Sequence, residues 1–406
     1  RMGPEARTAV IAAFDKLDDS GRALAMAVID ASPCPQSTPL YARLLTSKNA
    51  AERAHCRDRI QRCGKASADA LVGVLSSPDP DLALAAATEL ASAAPDLAIE
   101  KLVAQLGSTD SKHRRAFRAA IAHASSQSRS GQALERALRD ASISPQIGLN
   151  LLRASGEGIG RFPQASSALF ARIAAPNADV STRYLLCDPA SRLVRAGDAA
   201  AVSFLNERIS KDDDPMVRAR AAEVAIGLAP VQNALISATS DPHVRVRDAA
   251  VIALSGQAAA LPQLVSRLQS DEWTFVRMHA AESMGSAGAS KDADDALGHA
   301  LDHDVSPMVR GRVASAIGTR GVLRLAPQLR ARLDDSEESL DVRMRSAYAL
   351  GLVCDKSSVD LLTVLAKRAE DPFGTDMARN IGIRAIAALG RLHPADLADR
   401  LKPIVS

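Results

Sequence analysis

The sequence predicts an all-α solenoid of antiparallel helix pairs, and three observations carry that prediction. A short unit recurs, running from an acidic turn into a helix that opens Val-Arg and closes at a small residue, as in Asp271 to Gly285. Apolar residues within it fall at i, i+4 and i+8, the period of one helix face. Hydrophobic residues make up 47% of the 406 residues but aromatics only 3%, so the apolar surface is mostly Ala, Leu and Val. Small side chains suit closely stacked helices better than one large core. Length alone would suggest two or three domains, but a chain that grows by stacking needs no second core.

Taken in order, residues 1–200 show a degenerate rhythm. Leu75 precedes a Ser-Pro-Asp-Pro turn and a helical run from Leu82 to Ala94; Leu106 precedes Asp110 and a helix around Arg114 to Ala124. Leu138 precedes Asp140 to Pro145 and the run Ile147 to Ala154. Residues 155–165 are the best candidate for a break, and 186–200 read as a second irregular stretch. Residues 201–406 are regular. The expectation is one continuous solenoid of about twelve hairpins, with a terminal capping helix near Pro394 to Val405.

The regular units align on a Val or Ile and the small residue nine positions later: Val246 to Ser255, Val276 to Gly285, Val309 to Gly318, Val342 to Gly351 and Ile381 to Gly390. A shorter apolar helix precedes each, with Leu268 eight residues before Val276 and Leu301 eight before Val309. Between the two helices lie Asp-rich turns. Asp there accepts the free amides of the following helix, and Pro215, Pro242 and Pro307 fit a first turn that needs no amide hydrogen. The closing glycines read as helix stops. One hairpin cannot bury both of its apolar faces, whereas a stack of hairpins can.

Composition excludes little. A net charge of +3 does not by itself argue for nucleic acid. No apolar run is long enough to span a membrane. The chain opens Arg-Met-Gly-Pro, and Arg1 is no native start, so a tag remnant or a missing upstream segment is expected. Cytoplasmic placement is favoured, with periplasmic or secreted placement open if a signal segment was removed. Cys56 and Cys63, seven apart on one helix, are too distant to pair, and Cys34 reaches either only if the fold brings it there. Buried or idle thiols are the expectation. No Cys/His set has zinc spacing, so no metal and no cofactor is expected.

The run Val276-Arg277-Met278-His279-Ala280-Ala281-Glu282-Ser283-Met284-Gly285 resembles the signature of HEAT-like repeats, especially the short bacterial kind related to phycobilisome-lyase repeats. Val309 to Gly318 and Val342 to Gly351 match with one of the paired alanines. The resemblance covers 205–391 and rests on rhythm alone before that. It implies a right-handed, armadillo-like superhelix whose second helices line a concave face, most commonly a protein-binding surface. It also implies that the Arg after Val pairs with a turn Asp. Here that structural ladder would use Arg277, Arg310 and Arg343, with Arg218 and Arg247 by looser alignment, against Asp213, Asp241, Asp271, Asp304 and Asp341.

A second set, Arg220, Arg245, Arg312 and Arg345, with His279 in the corresponding place, points to another side of the helices. It forms either a solvated face or a basic stripe for phosphate or an acidic protein surface. Trp273 and Phe275 open one second helix and either pack into the hairpin junction or present a binding hot spot. His299 and His303, with Asp302 and Asp304, have metal-compatible spacing but lack a third ligand. Gly156, Gly158 and Gly160 follow no strand, which argues against a phosphate loop. No catalytic set can be assembled. The expected function is a non-enzymatic scaffold binding a protein or peptide on the concave face. Nucleic-acid binding by the Arg row is the alternative, and a HEAT-like enzyme such as a DNA glycosylase is the remaining one. Oligomeric state is not readable from the sequence.

Overall fold

The computed structural model describes residues 4–108, 110–175, 177–370 and 375–405. Among them are 25 α-helices and no strand, arranged as an all-α solenoid. The chain forms two compact units, one ending at Phe204 and the other beginning at Leu205.

In the first unit, helix Cys34–Arg43 pairs with Ala50–Cys63, Ala68–Val74 with Pro80–Ala93, and Pro95–Leu102 with Ser111–Ser126. Helices Gly131–Arg139 and Pro145–Ala154 follow, then Pro163–Ile173 and Val180–Arg195. Ile60, Leu90, Ile99, Phe117 and Leu151 are buried between the pairs. Side-chain oxygens of Asn49, Asp79, Asp110, Ser144 and Asp179 accept the first free amides of the helices they precede.

The sequence expectation fails at two places here. Residues 186–195 are not irregular: they continue helix Val180–Arg195 through an interior Pro189. One missing amide is outweighed by burial of Leu186, Cys187, Ala190 and Leu193 along the same face. Nor are all the cysteines idle: Cys34 and Cys63 form a disulfide with Cα atoms 5.5 Å apart. Antiparallel pairing sets the start of the first helix beside the end of the second, a proximity invisible to spacing along one helix. Residues 156–161 form a 3-10 segment in which Gly158 lies against Leu134 and Ser125, so that glycine serves close packing.

In the second unit the second helices are Pro215–Glu223, Val244–Ala253, Thr274–Gly285, Pro307–Arg320, Leu340–Leu352 and Asp376–Leu392. Each packs on the next. Val276, Ala280 and Met284 are buried on one, and Val309, Val313 and Ile317 on the next, as their spacing predicts. Helix Leu397–Val405 is the last of the described helices.

The repeating glycines do more than end helices. Gly318, Gly351 and Gly390 lie inside their helices. A Cβ on Gly318 would sit 3.0 Å from the Ala349 Cα, and one on Gly351 would sit 2.8 Å from the Ala388 Cα. At Gly318 and Gly351 the stacked second helices touch backbone to backbone, so the reading of those two glycines as stops is corrected to contacts, whereas a Cβ on Gly390 would meet nothing within 4 Å.

Candidate functional site

The second helices of residues 215–391 carry two arginine sets, and the structure separates them. In the first set Arg218, Arg247, Arg277 and Arg310 each make a forked bond to a carboxylate one unit ahead. Arg218 donates to Asp241 at 2.8 and 3.0 Å, and Arg247 to Asp271 at 2.8 and 3.1 Å. Arg277 donates to Asp304 at 2.7 and 3.1 Å. The remaining nitrogen, Nη1, donates to a carbonyl six residues back: Asp212, Asp241 and Asp271 respectively. Asp241, Asp271 and Asp304 also accept the amide two residues ahead, from His243, Trp273 and Ser306. One carboxylate thus orders its own turn and binds the preceding unit.

The far end of this ladder departs from the sequence assignment. Arg310 donates to Glu338 at 2.7 Å through both nitrogens, because the longer Glu reaches back from an acid-rich turn offering four carboxylates. Asp341 is not a rung: it is exposed and holds Arg345, four residues along its own helix. Arg343 is buried and donates its Nε to the Leu333 carbonyl. Residues 371–374 lie outside the described residues. Asp213 is not a rung acceptor; its backbone carbonyl receives Arg218.

The electrostatics of the rungs have a common balance. Burial pushes the Asp271 carboxyl up, but the Arg247 fork, the Trp273 amide and the Arg247 and Arg267 charges together hold it below the usual carboxylate range. Glu338 is lowered in the same way, burial being outweighed by Arg310, the Ser339 amide and Arg332.

The second set faces elsewhere and is mostly neutralised. Arg220 pairs with Glu223 at 3.0 Å, Arg345 with Asp341 at 2.8 Å, and Arg312 lies 3.8 Å from Glu282. His279 Nδ1 and Asp248 share a 2.6 Å hydrogen bond, which raises the imidazole pKa against a smaller lowering by burial. Arg245 is exposed and has no ion pair among the described residues.

Trp273 and Phe275 do not disappear into the hairpin junction. Their rings meet at 5.7 Å between centroids, Trp273 stays 46% exposed, and its Nε1 donates to Glu272. At the start of the next second helix, Val305 in the preceding turn is 88% exposed and Met308 in the first turn 60%. The rings of His299 and His303 lie 4.7 Å apart at a tilt of 53°, while Asp302 is engaged by Gln328 and Asp304 by Arg277. Among the described residues no group of three His, Cys, Asp or Glu is placed to hold a metal ion.

Several polar features escape sequence reasoning. Arg22 forks onto Glu52 at 2.7 and 2.8 Å, a rung of the same kind in the degenerate region. Arg320 binds Asp294 and the carbonyls of Met284, Ala287 and Gly288, sealing a helix end. Arg161 does the same for Ser125 and Gln127. The recurring signal was an Arg at separations of 26 to 36 from its acceptor, readable only once the repeat length is known.

A family model described as HEAT repeats matches residues 202–285, 232–318 and 295–380. No curated protein matches the chain. Among solved structures it is similar to Kap121p, with TM-score 0.54 and 15% identity over 98% of this chain and 50% of that one. It is also similar to the karyopherin Kap121p bound to the extreme C-terminus of the protein phosphatase Cdc14p, with TM-score 0.55 and 15% identity over 100% and 51%. A third, Kap121p bound to Ste12p, gives 0.53 and 14% over 100% and 50%. The chain spans about half the length of these structures, and at such identities the likeness shows the fold alone. With matched repeats from 202 to 380 and helix pairs stacked there on buried Arg–carboxylate rungs, residues 202–380 are HEAT-like repeats.

Proposed function

We propose that the chain is a non-enzymatic scaffold that binds a protein or peptide partner on the exposed side of its second helices. The observation that carries this reading is the apolar step across two neighbouring units, Trp273 with Phe275 and then Val305 with Met308. Aromatic and Met side chains held on a rigid frame are the usual energetic centre of a protein interface. The ladder beneath fixes that frame, since Asp271 and Asp304 immediately precede the two apolar clusters. Support of a general kind comes from the Kap121p structures, which hold the Cdc14p C-terminus and Ste12p.

Nucleic-acid binding by the second arginine set has less support. Four of its five members, Arg220, His279, Arg312 and Arg345, lie against carboxylates, leaving Arg245 alone. Phosphate would have to displace those acids.

The test is capture from the source cell by the intact chain and by a Trp273→Ala, Met308→Ala variant, with and without nuclease. The reading expects proteins that are retained after nuclease and lost from the variant. Retention abolished by nuclease, with steep salt elution, would overturn it in favour of the phosphate reading.

A further inference from the structure

A cavity of about 250 Å³ opens between helices Pro307–Arg320, Leu340–Leu352 and Asp376–Leu392, well away from Trp273 in sequence. Its walls combine an apolar floor, Met344 and Leu352, with the donors Ser315, Arg345, Tyr348 and Arg384. The only wall carboxylate, Asp341, is already bound by Arg345, which also donates to the Ser315 hydroxyl at 3.1 Å. Arg384 is exposed and has no hydrogen bond or ion pair among the described residues. Two turns further along the same helix, Arg391 lies 4.9 Å from the Tyr348 ring centroid and donates to its hydroxyl at 2.5 Å. Arg391 likewise has no acidic partner among the described residues. The Tyr348 hydroxyl, having accepted from Arg391, is left with its own proton to donate.

The balance of the cavity is therefore rich in donors and cations and short of acceptors. We infer that this cavity receives an acidic side chain of a peptide partner, its carboxylate met by Arg384 and Tyr348 and its methylene stem laid on Met344 and Leu352. The volume is that of a side chain rather than of a drug-sized ligand. The apolar floor suits a carboxylate carried on methylenes better than a hydrated phosphate. A stacked nucleobase is disfavoured because Arg391 already occupies a position over the Tyr348 ring. Ile383 and Met377, exposed on the same helix, give an apolar rim for residues flanking the acid. The inference rests on the peptide-binding reading and adds a second, electrostatic contact to the apolar one at Trp273.

The probe is a random-sequence peptide library displayed on phage and panned against the full chain at physiological salt. The expected result is a pool enriched in Glu or Asp flanked by apolar residues. Arg384→Glu should lower retention of that pool roughly tenfold or more, the weight of one charge-assisted contact. Arg129→Glu, an exposed site elsewhere with the same change of charge, should leave it unchanged. Thermal unfolding monitors folding of each variant. A pool that lacks acids, or that binds Arg384→Glu as well as the parent, overturns the cavity assignment. If such a pool is instead lost from Trp273→Ala, Met308→Ala, the scaffold reading stands and only the cavity assignment falls. A library that yields no enriched pool counts against both. A labelled oligothymidylate that binds and is lost with Arg384→Glu would make the cavity a phosphate site and likewise overturn the inference.

Discussion

Replacing Asp271 by Asn should be among the most damaging single-atom changes available in this chain. The Asp271 side chain is 0% exposed and Arg247 only 8%, and the fork between them measures 2.8 and 3.1 Å. Asn can still accept the Trp273 amide, so the change removes the charge and leaves the turn intact. Arg247 is then a buried cation without its partner, a situation that typically costs about 3–5 kcal/mol. Two features favour the lower end: Arg247 keeps its bonds to the Asp241 and Pro242 carbonyls, and Glu272 lies 3.6 Å away. A loss of roughly 3 kcal/mol corresponds to about a hundredfold faster hydrogen exchange through local opening. Exchange should therefore accelerate in Val244–Ala253 and Thr274–Gly285 and stay near parental values in Leu340–Leu352, since repeats couple to nearest neighbours. The double variant Arg247→Met, Asp271→Leu removes both charges and should lose less than Asp271→Asn. Acid sensitivity gives an independent reading. The folded pKa of Asp271 is depressed, so its stabilising contribution is present above the unfolded value near ~3.9 and is lost as pH falls through the lower folded value. The variant should accordingly show a flatter acid limb. Exchange within about threefold of the parent, or a double variant as unstable as the sum of its singles, would refute the view that the rungs hold the stack together.

Other outcomes follow from the same contacts. Cys34→Ser with Cys63→Ser opens a loop closed by a disulfide across 29 residues and should destabilise the first unit by about 3–4 kcal/mol, read as a lower thermal midpoint for the parent under reductant as well. Gly351→Ala drives a Cβ to 2.8 Å from the Ala388 Cα and should cost about 1–3 kcal/mol in a urea titration, whereas Gly390→Ala meets nothing within 4 Å and should be neutral or stabilising. The His279 imidazole should titrate above ~6.5 by NMR, and Asp248→Asn should bring it back down. Because that folded pKa is raised, the pair's contribution is full below the unfolded value and is lost as pH rises through the folded one. Trp273 should be readily quenched by acrylamide in the free chain and protected in a complex.

The solenoid was legible in 205–391 because local signals agree there: Asp caps, Val-Arg openings and apolar residues at helical period all point to the same pairs. Arg277 with Asp304 follows the family pattern in the structure, since one turn and one helix face fix both ends. What resisted reading depends on three-dimensional neighbours. Glu338 outcompetes nearer aspartates by reach, and Asp341 is taken by Arg345 on its own helix. The Cys34–Cys63 bridge joins the start of one helix to the end of its antiparallel partner, residues far apart in sequence. Pro189 sits in a helix because the burial around it outweighs one missing amide. The cavity at Arg384 draws on three helices spanning Ser315 to Arg384, and no linear pattern assembles such a set. Trp273 stood out by rarity alone, while its exposure was undecidable from a hairpin junction where both outcomes are sterically open.

The shared carboxylates of Asp241, Asp271 and Asp304 have a mechanical consequence. Each links two neighbouring layers through a bidentate fork that resists rotation as well as separation, because both oxygens are engaged. The layers between Arg218 and Asp304 are thus joined by hinges locked in register, and backbone contact at Gly318 and Gly351 continues the stiffening through other means. A stack so braced bends as an elastic beam with its strain spread over many layers. Twisting one layer loads its neighbours, so the pitch of the outer surface, and with it the spacing of residues such as Trp273 and Met308, is set collectively by the whole series of rungs.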